Sequence, residues 1–533
     1  MKTNTLSNQE GVPQGFLTRF GQQVTAVLCG FDRLRFRATQ RLLFQPNSME
    51  AYLATCKVLI KNFRSFAEGI TQRVKAAAYQ AAAKANRPVQ YLGGGDSNKE
   101  KLARELARQD GIAQGLIAVF SAVEPCLSYS VRGDYQTKEI HLVLETRKCL
   151  HLYHYYQHPD FGLMHVRVQT WFPFTVDVCL NGREWLARQM DRAGVGYVQR
   201  DNCFTRVQNP AKAQALLAEQ GRTDWPKVLN ELLVQAHPLH EEIGRPFHQP
   251  YYWSATQTEY ATDVLFQDAP TLARWYRPFL QHGISTFKSV DVLRFLGHAV
   301  PATGRVHANF KGEITSSLKQ RPEGVRLRHT VNGNSVKVYD KQGSVLRVET
   351  TIVHPEHFRV YRQAEGDTQK RLRWLKLRRG VADLWRRGEV SQAANRRYLE
   401  ALASVTGKTP LREEAVQVCR VCTVEGRRYR ALNPWSPEDG ALLEAISRGE
   451  FTLAGLRNRD LRRLLYPRQG TPEEERKRSA ATTRKLALLR GHGLLRKVSG
   501  THRYQLTERG RRIVTALLAA RQADVDQLTQ MAA

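Results

Sequence analysis

The chain has 533 residues, and 81 lysines and arginines against 50 aspartates and glutamates give it a formal net charge of +31. Such a charge indicates a polyanionic partner, because cations that neutralise phosphates release counterions from DNA or RNA. A basic protein without such a partner is the alternative. No apolar run is long enough to span a bilayer and the first residues lack the apolar core of a signal peptide, so we expect a cytoplasmic protein without a membrane partner.

Residues 1–92 are predicted to form a helical region. From Met49 to Lys84 the apolar residues follow helical spacing and end in an alanine-rich stretch. Between Leu127 and Val207 the period changes to two, which is typical of half-buried strands. Strands interspersed with helices predict an α+β domain over 93–284.

A strand predicted over 164–171 carries His165 and Arg167 on one face, because alternate side chains of a strand share a face. Aromatic residues cluster around this strand in the sequence. Basic groups beside aromatic rings suit single-stranded nucleic acid, whose bases stack and whose phosphates are neutralised. His165 and Arg167 are therefore candidate nucleic-acid contacts; the alternative for the aromatic residues is a place in the core.

A three-stranded β-meander within residues 285–360 is predicted to continue the α+β core. Its first turn is Asn332-Gly333, where both positions tolerate positive φ, and its second turn is Gln342-Gly343. The predicted strands are Val325–Thr330, Ser335–Asp340 and Val345–Thr350.

Two-residue turns at both ends would pair Val336 with His329 on one side and Glu349 on the other. His329 and Glu349 would then share a face, about 10 Å apart at Cα across two strand spacings. Asp340 would lie roughly 13 Å along the strand from Val336. We therefore do not expect Asp340 and Glu349 to hold one metal ion together unless the register bends.

The segment Ser335 to Thr351, SVKVYDKQGSVLRVETT, resembles a motif of the rolling-circle replication initiators of phages and plasmids. That motif is a strand ending in Tyr-Asp-Lys followed by a strand with Leu-Arg-x-Glu. The resemblance implies an endonuclease that nicks one DNA strand through a tyrosine, with carboxylates holding a divalent metal ion. The matching positions are Tyr339, Asp340, Lys341, Arg347 and Glu349.

From this resemblance, the candidate catalytic residues are Tyr339, Asp340 and Glu349, and the candidate ligands for Mg²⁺ or Mn²⁺ are His329 and Glu349. The chain departs from the initiators, which often carry a His-apolar-His metal motif; His165-Val166-Arg167 is its nearest approach. The nucleophilic tyrosine is not assigned from sequence. A charged hairpin face laid against a phosphate backbone is the alternative interpretation of the meander.

Residues 361–433 are predicted to be a basic helical connector. A helix this basic is suited to follow a phosphate backbone, and a linker helix with a solvated charged face is the alternative. The candidate nucleic-acid contacts here surround Trp374; they are Arg371, Arg373, Lys376, Arg378 and Arg379.

Residues 434–533 begin with a helix start at Ser436-Pro437-Glu438, and Thr471-Pro472 starts a longer helix. The predicted order helix, helix, helix, hairpin, helix resembles the winged helix-turn-helix family. This resemblance implies a third helix and a wing that contact nucleic acid; the same fold also serves as a protein-docking or RNA-binding module. The candidate contacts are Arg476, Lys477, Arg478, Arg484, Lys485, Arg490, Lys497, His502 and Arg503.

These segments predict an α+β multidomain protein with an N-terminal helical region, a central mixed antiparallel sheet with helices, and a C-terminal winged helix. We expect a sequence- or structure-specific nucleic-acid-binding protein of a mobile element or plasmid, acting as a replication initiator that nicks DNA. The alternative is a non-enzymatic nucleic-acid binder, either a transcriptional regulator or the protein component of a ribonucleoprotein.

Overall fold

The computed structural model describes residues 13–93, 98–300, 306, 309–321, 324–369, 371–405, 411–424, 426–448, 450–451, 455–498 and 500–524. Contacts between residues divide the chain into two compact units, residues 1–405 and 406–533. The boundary predicted at 434 therefore lies inside the second unit. Within the described ranges, every helix is too short or too polar to traverse a lipid bilayer.

The first unit is built on one eleven-stranded mixed sheet, in the order β10-β11-β12-β13-β9-β1-β6-β5-β4-β3-β2. Strand β2 runs parallel to β3, and the other neighbours are antiparallel. The mixed sheet with helices agrees with the prediction. The strands of this sheet are β1 (Val24–Thr39), β2 (Val89–Tyr91), β3 (Gly115–Gly133), β4 (Ile140–His158), β5 (Gly162–Gln169), β6 (Val176–Asn181), β9 (Tyr252–Phe266), β10 (Ile314–Arg321), β11 (Gly324–Val331), β12 (Asn334–Lys341) and β13 (Val345–Ile352).

Two short hairpins lie outside this sheet, one of β7 (Tyr197–Gln199) and β8 (Phe204–Val207), the other of β14 (Arg359–Gln363) and β15 (Leu372–Lys376). The helices of the unit are α1 (Gln14–Phe20), α2 (Pro46–Thr55), α3 (Phe63–Lys84), α4 (Lys99–Gln109), α5 (Gly182–Arg192), α6 (Pro210–Gln220), α7 (Trp225–Ala236), α8 (His240–Gly244), α9 (Ala269–Thr286), α10 (Ser289–Phe295) and α11 (Leu384–Leu402).

Helix α11 closes one face of the sheet by packing on β9 and β13. Its buried Asn395 accepts a hydrogen bond from Thr350 Oγ1 at 2.7 Å and donates to the carbonyl oxygen of Tyr260 at 3.0 Å. Phe31 packs against Tyr260 with ring centroids 5.2 Å apart, and Val348, on the same face of β13 as Thr350, is buried. The face that carries Tyr260 and Thr350 is therefore interior, and the candidate site lies on the opposite face of the sheet.

Two predicted helical regions contain strands. Residues 24–39, inside the region predicted to be helical, form the long strand β1 at the middle of the sheet. Residues 372–376, inside the predicted basic helix, form β15, and α11 begins only at Leu384. The second half of β1 alternates in burial, and so does β14, the partner of β15. This period of two is typical of strands and not of helices.

The three strands of the meander are confirmed, and so is the pairing of His329 with Val336 across the Asn332-Gly333 turn. The second turn is different. It pairs Lys341 with Val345 and holds three residues between them, so Glu349 lies opposite Lys337 and not Val336. A shift of one residue moves every side chain of a strand to the other face. The prediction that His329 and Glu349 share a face is therefore wrong.

The second unit places helices around a small core that includes Leu443, Leu461, Leu489 and Ile513. Ser436 caps its first long helix through a hydrogen bond from the amide of Asp439, as the sequence indicated. The helices and strands are α12 (Leu411–Val418), β16 (Cys422–Val424), β17 (Arg427–Tyr429), α13 (Pro437–Ser447), α14 (Asn458–Leu465), α15 (Pro472–Gly491), β18 (Leu495–Lys497), β19 (Tyr504–Leu506) and α16 (Glu508–Gln522).

Candidate active site

The face of the sheet opposite α11 is polar at its centre. Strand β1 alternates basic and apolar residues from Arg33 onward: Leu34, Phe36 and Ala38 are buried in the core, and the arginines between them point the other way. This places Arg33, Arg35 and Arg37 in one row, of which Arg35 is exposed and Arg37 pairs with Asp177 at 2.7 Å. We call this surface the polar face.

A β-bulge directs a carboxylate onto the polar face. Phe31 pairs with Tyr260 and Arg33 with Glu259, so Asp32 is an extra residue in β1. Bulges redirect side chains and are common next to active sites. Asp32 is buried, and its Oδ1 accepts hydrogen bonds at 2.8 Å from both Asn202 Nδ2 and Arg347.

Three carboxylates from three different strands meet at this bulge. One oxygen each of Asp32 on β1, Glu259 on β9 and Glu349 on β13 lies within 4.8 Å of the others. Asp32 and Glu349 are buried, and Glu259 is half-buried. We call these three residues the acidic cluster.

Tyr339 lies directly beside the acidic cluster. Its hydroxyl donates a hydrogen bond of 2.6 Å to Glu349 Oε2, and Lys337 Nζ lies 2.6 Å from Glu349 Oε1. Burial raises the pKa of Tyr339 well above its ordinary value, and the negative charge of Glu349 raises it further. The phenol therefore stays protonated at neutral pH, with a carboxylate already placed to accept its proton.

A buried ion-pair network fixes the position of Asp32. Arg347 spans Asp263 with Nε and Nη2 at 2.5 and 2.8 Å and reaches Asp32 with Nη1 at 2.8 Å. Arg183 adds a contact of 2.9 Å to Asp263. Burial disfavours the charged form of Asp263, but Arg183 and Arg347 outweigh it and keep its pKa below the ordinary value. Arg347, one of the motif positions, therefore orients Asp32 of the acidic cluster.

The acidic cluster has the donor chemistry of a site for a hard divalent cation. Carboxylate oxygens are the ligands that Mg²⁺ and Mn²⁺ prefer. Lys337 and Arg347 already pair with two of the carboxylates, but each carboxylate has about four lone-pair positions, so these contacts leave capacity for an ion. The residues that would hold the ion are Asp32, Glu259 and Glu349.

Of the predicted catalytic and metal residues, Tyr339 and Glu349 come together, and the other two lie elsewhere. Asp340 points to the opposite face because successive strand residues alternate, and burial raises its pKa. His329 is buried with its ring nitrogens 2.7 Å from Ser316 Oγ and 3.1 Å from Tyr398 Oη. Burial lowers the pKa of His329 to about 4, so this side chain is a neutral part of the core.

His165 and Arg167 share one face, as predicted, but each is less available to a phosphate than the sequence indicated. Burial and the neighbouring Arg35 lower the pKa of His165 to about 4, so it is neutral at neutral pH. Arg167 lies between two acids, 3.5 Å from Glu124 and 3.6 Å from Asp177.

The basic residues around Trp374 divide into two groups. Arg371, Arg373 and Lys376 are exposed on or beside β15. Arg378 instead pairs with the buried Asp383 at 3.1 Å, and Arg379 pairs with Glu356 at 3.0 Å. The first group remains available for a ligand, whereas Arg378 is tied to the buried Asp383 and Arg379 forms an ion pair at the surface.

A basic groove in the second unit lies between β17 and α15. The exposed side chains of Arg427, Arg428 and Arg484 line it. Lys485 also lines the groove, but it is largely buried and ion-paired with Glu438. Lys485 is therefore less available to a ligand than predicted, and Arg427 and Arg428 line the groove although neither was a predicted contact.

The other candidates on α15 and the following hairpin also separate by pairing. Lys477 and Arg478 form ion pairs within the helix, with Glu473 at 2.8 Å and Glu475 at 2.9 Å. Arg503 is half-buried. Lys477 is nevertheless exposed, as are the candidates Arg476, Arg490, Lys497 and His502.

Sequence reasoning missed Asp32 and Glu259. A signal was present, since each is a carboxylate within an alternating strand, where an unpaired charge is costly. No protein-family model matches this chain, and neither does any curated protein or solved structure.

Proposed function

We propose that this protein is a nucleic-acid-binding enzyme that cuts one DNA strand, in the manner of a replication initiator of a plasmid or mobile element. The observation that carries the proposal is the hydrogen bond of 2.6 Å from Tyr339 to Glu349 at the edge of the acidic cluster. Nucleophile, proton acceptor and candidate metal ligands thus lie together on a face that also bears a row of arginines. Phosphodiester cleavage can use this combination of groups.

In the proposed reaction, the Tyr339 oxygen attacks a backbone phosphorus and its proton passes to Glu349. A tyrosine–phosphate bond forms, the bond from phosphorus to one deoxyribose oxygen breaks, and that oxygen leaves as an alcohol after taking a proton from water. Because the pKa of Tyr339 is raised, the reaction depends on Glu349 as a general base. A bound divalent ion would supply charge stabilisation to the phosphate oxygens.

We further propose that the second unit is a winged helix that grips the duplex. The order α13, α14, α15, β18, β19, α16 supports this, and so does the bridge of two 2.8 Å hydrogen bonds between Leu456 and Tyr504, which adds a third segment to the hairpin. The exposed Arg427, Arg428 and Arg484 suit contact with phosphates.

Conversion of supercoiled plasmid to open circles in Mg²⁺ or Mn²⁺ tests the proposal. We expect the unmodified protein to produce open circles, Tyr339→Phe to produce none, and Glu349→Gln to be slower by about 100- to 10,000-fold, the range for loss of a general base. All three proteins should bind the plasmid equally, because neither side chain is exposed enough to dominate affinity.

The matched controls are Tyr135→Phe and Glu139→Gln, which make the same chemical changes at exposed positions of the β3–β4 turn. They should nick at the unmodified rate. Nicking by Tyr339→Phe at the unmodified rate would refute the assignment of the nucleophile.

A non-enzymatic nucleic-acid binder is the second candidate. It is favoured by the pairing of Lys337 with Glu349 and of Arg347 with Asp32, which would make the acidic cluster a structural ion-pair network. This candidate predicts no open circles under any metal condition, together with nuclease-resistant RNA or DNA that copurifies with the protein.

A further inference from the structure

The hairpin of β14 and β15 has one covered face and one exposed face. Val360 and Arg362 point inward and are largely buried. The exposed face consists of three cross-strand pairs, Arg359 with Lys376, Tyr361 with Trp374, and Gln363 with Leu372. We call these six residues the platform.

Two aromatic rings lie side by side at the centre of the platform. The side chains of Tyr361 and Trp374 are 56% and 64% exposed, and their ring centroids are 5.6 Å apart. Leu372 beside them is 54% exposed. Burial in the core therefore does not explain why these residues are apolar, and a patch of this kind indicates a ligand.

The charges at the edge of the platform point to an anionic ligand. Arg359 and Lys376 are directly opposite each other, and like charges in this arrangement repel, so a bound anion would relieve the repulsion. Arg371 and Arg373 are also exposed nearby, but alternation places them on the other side of β15, with Arg373 opposite Arg362. The nearest acids of the connecting turn have other roles: Glu365 pairs with Arg378 at 3.2 Å, and Asp367 accepts a hydrogen bond from the amide of Gln369.

Arg362 anchors the platform from the covered face of the hairpin. Arg362 donates to the carbonyl oxygens of Gln363 and Lys376, each at 3.0 Å, and its Nε lies 3.7 Å from the buried Asp383. Asp383 in turn accepts from Arg386 at 2.7 Å. A rigid surface loses little conformational entropy when it binds, so the exposed rings are prepared for a ligand before it arrives.

We propose that the platform binds single-stranded nucleic acid, with an unpaired base stacked on Tyr361 and Trp374 and neighbouring phosphates at Arg359 and Lys376. Stacking suits any base, because every base presents a π-face, and the flanking cations neutralise the backbone. Paired bases inside a duplex are not accessible to such rings. This inference rests on the proposed nucleic-acid function and adds that the protein holds an opened strand.

The test is fluorescence anisotropy with a labelled oligothymidylate of twenty nucleotides and a labelled duplex of the same length, using the full chain. We expect Trp374→Ala and Tyr361→Ala to weaken oligothymidylate binding by about 5- to 150-fold each, the range seen for loss of a stacking ring. Trp374→Phe should restore most of the affinity. Duplex binding should change less than twofold.

The matched control is Tyr135→Ala, which removes an aromatic side chain that is 87% exposed on the same unit. It should leave both affinities unchanged. Thermal unfolding of each variant should match the unmodified protein, because the substituted rings are exposed.

Three outcomes would contradict the proposal that the platform binds single-stranded nucleic acid. If Trp374→Ala binds oligothymidylate as tightly as the unmodified protein, or loses duplex binding equally, the rings do not hold a single strand although the proposed function stands. If Trp374→Ala instead changes the oligomeric state in sedimentation velocity, a second copy covers the rings. If the unmodified protein binds neither probe, the proposed function and the platform fail together.

Discussion

The polar face of the first unit and the basic groove of the second unit use positive charge in opposite ways. On the polar face, Arg347 and Lys337 are buried or nearly so and each contacts a carboxylate within 3 Å. In the groove, Arg427, Arg428 and Arg484 are exposed to solvent. The net charge of the chain therefore combines two populations of cations with different energetics.

Buried cations position neighbouring carboxylates, whereas exposed cations attract phosphates. A buried cation between two carboxylates contributes little to long-range attraction, but it fixes their geometry because no water competes for its contacts. An exposed cation has little effect on stability and its interactions are screened by salt, yet it releases counterions when it meets a phosphate. Substitutions in the two regions should accordingly affect different measurements.

The largest expected effect is on stability, at Arg347. We expect Arg347→Leu to lower the free energy of unfolding of the first unit by about 3–5 kcal/mol, because Asp32 and Asp263 would be left buried without their main partner. Urea denaturation measures this value. Arg35→Leu, on the same face but exposed, should change it by less than about 0.5 kcal/mol. Equal effects of the two variants would show that the ion pairs of Arg347 do not hold Asp32 and Asp263 in position.

The pH dependence of stability sharpens the same point. The pKa of Asp263 is lower in the folded protein than in the unfolded chain, so its contribution is complete above the unfolded value and is lost as the pH falls through the folded value. Removing Arg347 takes away one of the positive charges, with those of Arg183 and Lys341, that lower this pKa. The free energy of unfolding of Arg347→Leu should therefore depend less on pH in the acid range. An unchanged pH dependence would contradict the conclusion that Arg347 lowers the pKa of Asp263.

The smallest expected effect is on binding, at Arg484. We expect Arg484→Ala to weaken duplex binding a few-fold and to reduce the slope of log affinity against log salt by about 1, as loss of one phosphate contact requires. Lys485→Ala should have a smaller effect on the slope, because Lys485 already pairs with Glu438. Anisotropy at several salt concentrations distinguishes the two, and a larger slope change for Lys485→Ala would exclude the proposed groove.

The meander shows how much of the strand register could be predicted from the sequence. Asn332-Gly333 predicted its turn and register correctly, because positive φ at both positions permits only a tight hairpin there. Gln342-Gly343 carries the same type of signal, yet the turn there includes a third residue. That single residue placed Glu349 beside Tyr339 and separated it from His329.

The acidic cluster shows what local sequence cannot supply. Asp32, Glu259 and Glu349 belong to three strands that are far apart in the chain and adjacent in the sheet. Their meeting depends on the strand order and on the bulge at Asp32, neither of which has a local signal. The alternation of Arg33, Arg35 and Arg37 did signal a strand, but the helical pattern of the residues that follow obscured it.

The most direct test of the central claim is to identify the residue that becomes joined to DNA. The protein is incubated with an end-labelled single-stranded oligonucleotide and Mn²⁺, denatured, digested and analysed by peptide mass spectrometry. We predict a nucleotide adduct on the peptide that contains Tyr339, absent in Tyr339→Phe. Cleavage without any adduct, or an adduct on a different tyrosine, would contradict the account.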